Sequence, residues 1–172
     1  AWIREQNRFT DSYLDNLIEQ KEFKLLLEKI YNKENQSVPF RKKSKIFTYY
    51  NDGTWQQSKL YYKEVTKDKK KLVIDPNLLS KDGTVSVGSI SVSPNAEMIA
   101  YSISDGGSDW KTWKIKNINS GDILEDTIKW SKFSNAEWAK DNSGFYYSRY
   151  SEPQKGDEYE ELNRNQRLFF HT

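Results

Sequence analysis

The 172-residue sequence predicts a mainly β fold, a partial β-propeller of two blades and most of a third behind a short α-helical segment. Three observations predict it. Residues Ile90 to Ser102 read as strand, turn, strand, and Ala136 to Ser148 repeat that pattern 46 positions later. Val92 answers Trp138, Asn95 answers Asp141, Ile99 answers Phe145, and Tyr101-Ser102 answers Tyr147-Ser148. A fainter copy lies 52 positions before the first, where Phe40 precedes a polar turn and Ile46 to Tyr50 follow. Strand repeats of roughly 40 to 50 residues mark propeller blades. The apolar spacing also changes after residue 36, from helical to alternating. Finally, 11 Tyr, 8 Phe and 6 Trp supply flat rings that suit half-buried strand faces.

Taken in order, Tyr13, Leu14, Leu17 and Ile18 fall at helical spacing, as do Phe23, Leu26, Leu27 and Ile30. They predict helices over 2–8, 11–20 and 22–31, with Thr10 or Asp11 capping the second. Strands over 38–41, 46–50, 59–64 and 72–74 make the first blade. Asn51-Asp52-Gly53 supplies its tight turn, where Gly takes positive φ cheaply. Strands over 85–92, 98–104, 110–116 and 122–124 make the second, with an outer turn at Asn119-Ser120-Gly121. The third contains strands over 135–138, 145–149 and 166–171. Two stretches read as loop. Residues 67–71 hold four Lys and one Asp and suit a solvated hairpin tip, and residues 151–161 hold Pro153, Gly156 and five acidic residues.

A propeller usually has four to eight blades. The chain, which opens at Ala1 and stops after Leu168-Phe169-Phe170, therefore reads as part of something larger. Its 27 basic and 25 acidic residues nearly cancel to +2, and the basic ones are scattered, so no nucleic-acid surface is expected. Without Cys the segment has no disulfide framework and no thiol chemistry. No run approaches the 18 or so apolar residues of a membrane span, so no membrane partner is expected.

Catalytic machinery is nearly invisible. There is no Gly-x-Ser-x-Gly elbow, no metal-binding His pair and no phosphate-cradling Gly loop, and no cofactor or metal is expected. His171, the sole His, sits at a strand end and reads as an edge residue, so a Ser-His-Asp triad cannot be assembled here. Asp75 with Asp82, or Asp105 with Asp109, suggest acid–base pairs, but Asp before Pro or Gly more simply bonds its own backbone in turns.

Four segments occur in order along the whole chain: Trp2-Ile3-Arg4-Glu5-Gln6-Asn7, then Asp75-Pro76-Asn77 running to Asp82-Gly83-Thr84, then Gly107-Ser108-Asp109-Trp110, then Lys132-Phe133-Ser134 ahead of Ala136-Glu137-Trp138. Together they resemble the prolyl oligopeptidase family. The resemblance implies that residues 1–36 are a helical segment of an α/β-hydrolase domain, and that residues 37–172 open a seven-bladed propeller. Ser, Asp and His of the triad would follow in later sequence. It implies a serine endopeptidase that cleaves short peptides after proline, its propeller capping the active site against folded proteins. Phe133 would line the apolar subsite N-terminal to the proline pocket; the alternative is a core aromatic. Asp109 would face the hydrolase domain and pair with an Arg that holds the peptide backbone; the alternative is a turn carboxylate without a partner. Trp110 reads as packing.

The implied partners are proline-containing oligopeptides and the remainder of the chain itself, in a cytoplasmic setting with the periplasm left open. Two other readings stand beside this one. One is a non-catalytic binding module or relic of a split gene, and the other is a related oligopeptidase of different specificity.

Overall fold

The structure, a computed structural model, describes residues 1–158 and 163–172. The chain divides into two compact units, Ala1–Asn35 with Asn51–Trp55, and Gln36–Tyr50 with Gln56–Thr172.

The first unit holds two helices where three were expected. Helix α1 (Trp2–Leu14) runs straight through the break expected at residues 9 and 10. No Gly or Pro occurs before Pro39, so nothing there opposes the helix. Asp11 is not a cap; its carbonyl accepts from the Asp15 amide at 2.8 Å, inside the helix. The interruption falls instead at Asp15-Asn16, both weak helix formers, and α2 (Ile18–Tyr31) continues through residue 21 without a second break. Neither helix buries a residue, although Trp2, Phe9, Ile18 and Phe23 are all exposed apolar side chains. The turn after Asn51 is tight as expected. Gly53 has φ +93°, donates its amide to Asn51 Oδ1 at 2.8 Å, and lies so near Lys33 that a Cβ would come within 2.7 Å of the Lys33 nitrogen.

The second unit is built of three antiparallel sheets in chain order. The first comprises β1 (Asn35–Gln36), β2 (Phe40–Lys42), β3 (Lys45–Asn51), β4 (Lys59–Glu64) and β5 (Lys71–Ile74), in the order β1-β3-β4-β5 with β2 also on β3. The second comprises β6 (Ser86–Val92), β7 (Met98–Ser104), β8 (Lys111–Asn117) and β9 (Ile123–Ser131), in simple sequence. The third comprises β10 (Glu137–Trp138), β11 (Phe145–Arg149) and β12 (Arg167–His171). Successive meanders of this kind, open rather than closed, are the blades of a partial propeller.

Several boundaries shift for local reasons. The first expected strand, over 38–41, becomes the three residues of β2. Lys71 leaves the expected loop and opens β5, pairing with Tyr62. Trp110 stays outside β8, whose pairing with β9 begins at Lys111, and Gln166 outside β12, whose pairing with β11 begins at Arg167. The outer strand expected over 122–124 is nine residues long, since β8 pairs its backbone from Ile123 to Ser131. The expected loop over 151–161 has no helix or strand in residues 151–158, and its remainder lies outside the described residues.

The repeat is realised in the core. Phe47, Ile99 and Phe145 occupy the same place in the three copies and are 0%, 0% and 1% exposed. Ile99 and Tyr101 of β7 pack with Phe47, Leu60 and Val73 of the first sheet. Ala100, between them, faces the other way and joins Trp113, Phe145 and Tyr147. Period-two alternation thus commits one strand to two cores. Even the turns agree, with left-handed backbone at Ala96 (φ 59°) and at Asn142 (φ 65°), 46 residues on. Buried and half-buried donors stitch the sheets together. Lys45 Nζ reaches Ala96 O at 2.6 Å, Lys116 Nζ reaches Val73 O at 2.7 Å, and Trp138 Nε1 reaches Ser91 O at 3.0 Å.

Tyr49, Tyr101 and Tyr147 are also equivalent in the three copies, and burial pushes each phenol above its ordinary value. Their folded pKa is raised, so their contribution to stability is complete below about pH 10 and is lost as pH rises through the folded values. Burial pulls Lys45 and Lys116 down, which acts in the opposite sense, so variant must be compared with parent. Replacing the three tyrosines by Phe should shrink the drop in urea midpoint between about pH 9 and 11. An unchanged drop would show that these phenols are not the buried titrating groups.

Candidate functional site

Register decides which loops meet. Lys111 at the start of β8 pairs with Ser131 at the end of β9, so Trp110 and Lys132 leave the sheet side by side. The loop before Trp110 turns through Gly106 (φ 58°) and Gly107 (φ 74°), a consecutive left-handed pair that side chains would strain. The Ser108 amide donates to Asp105 O at 2.9 Å, and the Trp110 amide donates to Ser108 Oγ at 3.1 Å.

The Trp110 indole then gathers its surroundings. Its ring meets Trp130 edge-on at 5.5 Å and Tyr150 at 6.0 Å, and Nε1 donates to Glu158 O at 2.5 Å. Lys132 Nζ lies 3.7 Å above the same ring and donates to Asn163 Oδ1 at 3.3 Å. Trp110 therefore packs, as expected, and in doing so joins three stretches of chain.

Residues 131–134 are held from several sides. Ser131 accepts from Trp113 Nε1 at 3.1 Å and donates to Ser148 O at 2.7 Å, with neither Ser131 nor Trp113 exposed at all. Gln166 Nε2 donates to Lys132 O at 3.1 Å, and Ser134 Oγ accepts from the Ser148 amide at 2.8 Å. Between these buried neighbours Phe133 is 67% exposed, and among the described residues no ring stacks on it. It joins neither core cluster of the blades. Phe133 (φ 50°) and Trp130 (φ 65°) both adopt left-handed backbone, which costs about 1 to 2 kcal/mol for a non-glycine residue. Strain of this kind is kept where the surroundings over-determine it, often at sites of contact.

Asp109 is exposed, two residues before Lys111, and among the described residues its carboxylate has no hydrogen-bond or ion-pair partner. Two shallow recesses flank Trp110. One of about 550 Å³ is lined by Val85, Asp105, Thr112 and Trp130, and one of about 480 Å³ by Gly107, Asp109, Lys132 and Asn163. Phe133 lines neither.

The other carboxylates do structural work. Burial raises the Asp75 carboxyl, but hydrogen bonds from Lys59 and Asn77 outweigh this and hold it below its ordinary range. Its Lys59 contact is 2.9 Å. Asp82 is held low by hydrogen bonds from Thr84, whose hydroxyl also donates to Asp105 at 2.9 Å. His171 Nε2 lies 3.3 Å from Asp126, on the face that packs against Phe145. Among the described residues no group of three potential metal ligands comes together.

Lys132 and Gln166 went unseen as site residues. Lys132 stands 22 positions from Trp110, and only the β8–β9 register brings them together, so no local spacing signals the contact.

The family model of the prolyl oligopeptidase N-terminal β-propeller domain matches residues 1–172. The chain belongs to this family. The prolyl endopeptidase of Elizabethkingia meningoseptica is 35% identical over 171 residues, covering 99% of this chain and 24% of that protein. Prolyl oligopeptidase B of Galerina marginata, solved with a 25mer macrocyclization substrate, is 27% identical with a TM-score of 0.81, covering 95% of this chain and 25% of its own. A structure from a study of inter-domain dynamics in two prolyl endopeptidases gives a TM-score of 0.84 over 89% of this chain and 23% of that one; at 24% identity it shows the shared fold. The chain thus spans about a quarter of the length of the prolyl endopeptidases it matches. In this prolyl oligopeptidase segment, Ser131→Ala should strand the buried Trp113 donor and lower stability by about 2 kcal/mol. An unchanged thermal midpoint would show that the Ser131 bridge is idle.

Proposed function

We propose that this chain is the N-terminal, non-catalytic part of a prolyl endopeptidase that hydrolyses short peptides on the C-terminal side of proline. The carrying observation is the 35% identity to a prolyl endopeptidase over 99% of the chain. The serine-type triad belongs to later sequence on this reading, since the single His171 pairs with Asp126 on a strand. The blades act as a lid that limits entry to oligopeptides and keeps bulk water from the reacting acyl group.

Three further features support the reading. The helices expose apolar side chains without burying one, which suits residues 1–36 to docking on a hydrolase domain. Phe133 stands exposed in strained backbone, which suits an apolar contact with the peptide residue N-terminal to the proline pocket. Asp109, exposed in the lining of the smaller recess, suits an ion pair with a cation from the hydrolase domain.

The full-length protein should release a reporter placed after proline and lose that activity to a serine-directed inhibitor, whereas the 172-residue chain alone should be inert. Inhibitor-sensitive turnover by the short chain would overturn the assignment. In the full-length enzyme, Phe133→Ala should raise KM roughly 5- to 10-fold for peptides extended N-terminally beyond proline, at an unchanged melting temperature. An unchanged KM with a lowered melting temperature would mean that Phe133 serves packing instead.

A further inference from the structure

A lysine is an odd choice for position 132. Its side chain is in a residue only 8% exposed, and among the described residues Asn163 Oδ1 is its one hydrogen-bond acceptor for three ammonium donors. Desolvating an ammonium is costly, and an apolar side chain of the same length would cover the Trp110 ring without that cost. What the charge adds is direction. A cation is drawn to the centre of an indole face, and here it sits 3.7 Å from the centroid. The stem then fixes where Lys132 Cα lies, and Gln166 holds the carbonyl from another side.

The strained residues flank this anchor. Trp130 (φ 65°) precedes it by two positions and Phe133 (φ 50°) follows it directly. Left-handed backbone at two bulky residues would relax unless the segment between them were pinned. Ser131 pins one end through Trp113 and Ser148, and Ser134 pins the other through the Ser148 amide. Lys132 supplies the middle.

We propose that Lys132 is a positioning residue: its ammonium, seated on the Trp110 ring, locks residues 130–134 in the strained turn that presents Phe133. The effect on substrate rests on the reading of Phe133 given above; the lock itself does not.

The test uses the full-length protein and three substitutions. Lys132→Met keeps stem and bulk but removes the charge, Lys132→Arg keeps a cation that can stack on the indole, and Trp110→Phe leaves a weaker ring. Amide hydrogen exchange at Ser148 and Tyr150 reads the lock, because those amides donate to Ser134 Oγ and Trp130 O. In Lys132→Met both should exchange about tenfold faster than in the parent while the amides of the β7–β8 ladder do not change, and Trp110→Phe should fall between. The melting temperature should hold or rise in Lys132→Met, since the cost of desolvating an ammonium has been removed.

For a reporter peptide extended N-terminally beyond proline, KM should rise about tenfold in Lys132→Met with kcat unchanged, and Lys132→Arg should restore it. A minimal reporter with no residue N-terminal to its proline should show neither change. Unchanged exchange in Lys132→Met and Trp110→Phe would overturn the lock. Faster exchange with an unchanged KM would overturn its role in presenting Phe133. A full-length parent that cleaves no prolyl peptide would overturn the functional reading instead, and the exchange experiment would still decide the lock. If Lys132→Met fails to fold, Trp110→Phe carries both measurements, with the same outcomes counting for and against.

Discussion

A sheet that is apolar on both faces must be covered twice, and everything else in the blade unit follows from that. In β7, Ile99 and Tyr101 point to one neighbouring sheet and Ala100 to the other. No hairpin satisfies such a strand alone. Burial of each large side chain stabilises by about 1.5 to 3 kcal/mol, and it is realised only when the sheets stack. The second sheet is therefore the interior of the unit. The first and third sheets have one covered face each, and the third shows Tyr146, Leu168 and Phe170 on its other side. The ladder arrangement explains why polar stitches lie between sheets. Lys45, Lys116 and Trp138 donate to carbonyls across the gap, where an unmatched carbonyl would be expensive.

The same constraint decided what the sequence revealed. Phe47, Ile99 and Phe145 recur because each fills one kind of hole, and Tyr49, Tyr101 and Tyr147 recur two residues on for the same reason. Repetition of a burial pattern is visible without coordinates. The helix breaks were misplaced because Thr10 and Asp11 were read as a cap, although a helix with no Gly or Pro in it has little reason to stop there. The outer strand β9 ran long because backbone pairing to β8, rather than side-chain alternation, sets its length. Phe133 and Asp109 could be singled out only through resemblance, since neither belongs to a periodic pattern. What periodicity could never give was the Lys132–Trp110 contact, which depends on a register between strands.

The two links that carry the chain from one sheet to the next make an informative pair. After β5 the chain passes through Asp75, whose carboxylate meets Lys59 at 2.9 Å and accepts from the Asn77 amide at 3.0 Å. Asn77 in turn exchanges two hydrogen bonds of 2.9 Å with the Gln57 backbone. This link is satisfied by ordinary capping and a well-shielded ion pair, and residues 75–78 need no left-handed side chain. After β9 the equivalent link uses a lysine too, but sets it on a ring and surrounds it with strained backbone.

That difference is hard to derive from stability alone. Both links solve one geometric task, the return from an outer strand to the next inner one, and the first shows that the task can be done without strain. An ion pair places its energy between two side chains and leaves the backbone relaxed. A cation on an indole, braced by Ser131, Ser134 and Gln166, places the energy in holding a turn that would otherwise open. The product of that expense is an exposed phenylalanine set between Lys132 and Ser134, which are both buried. Rigid presentation of an apolar ring lowers the entropy lost on contact, which favours a site that must select its ligand over one that merely tolerates it.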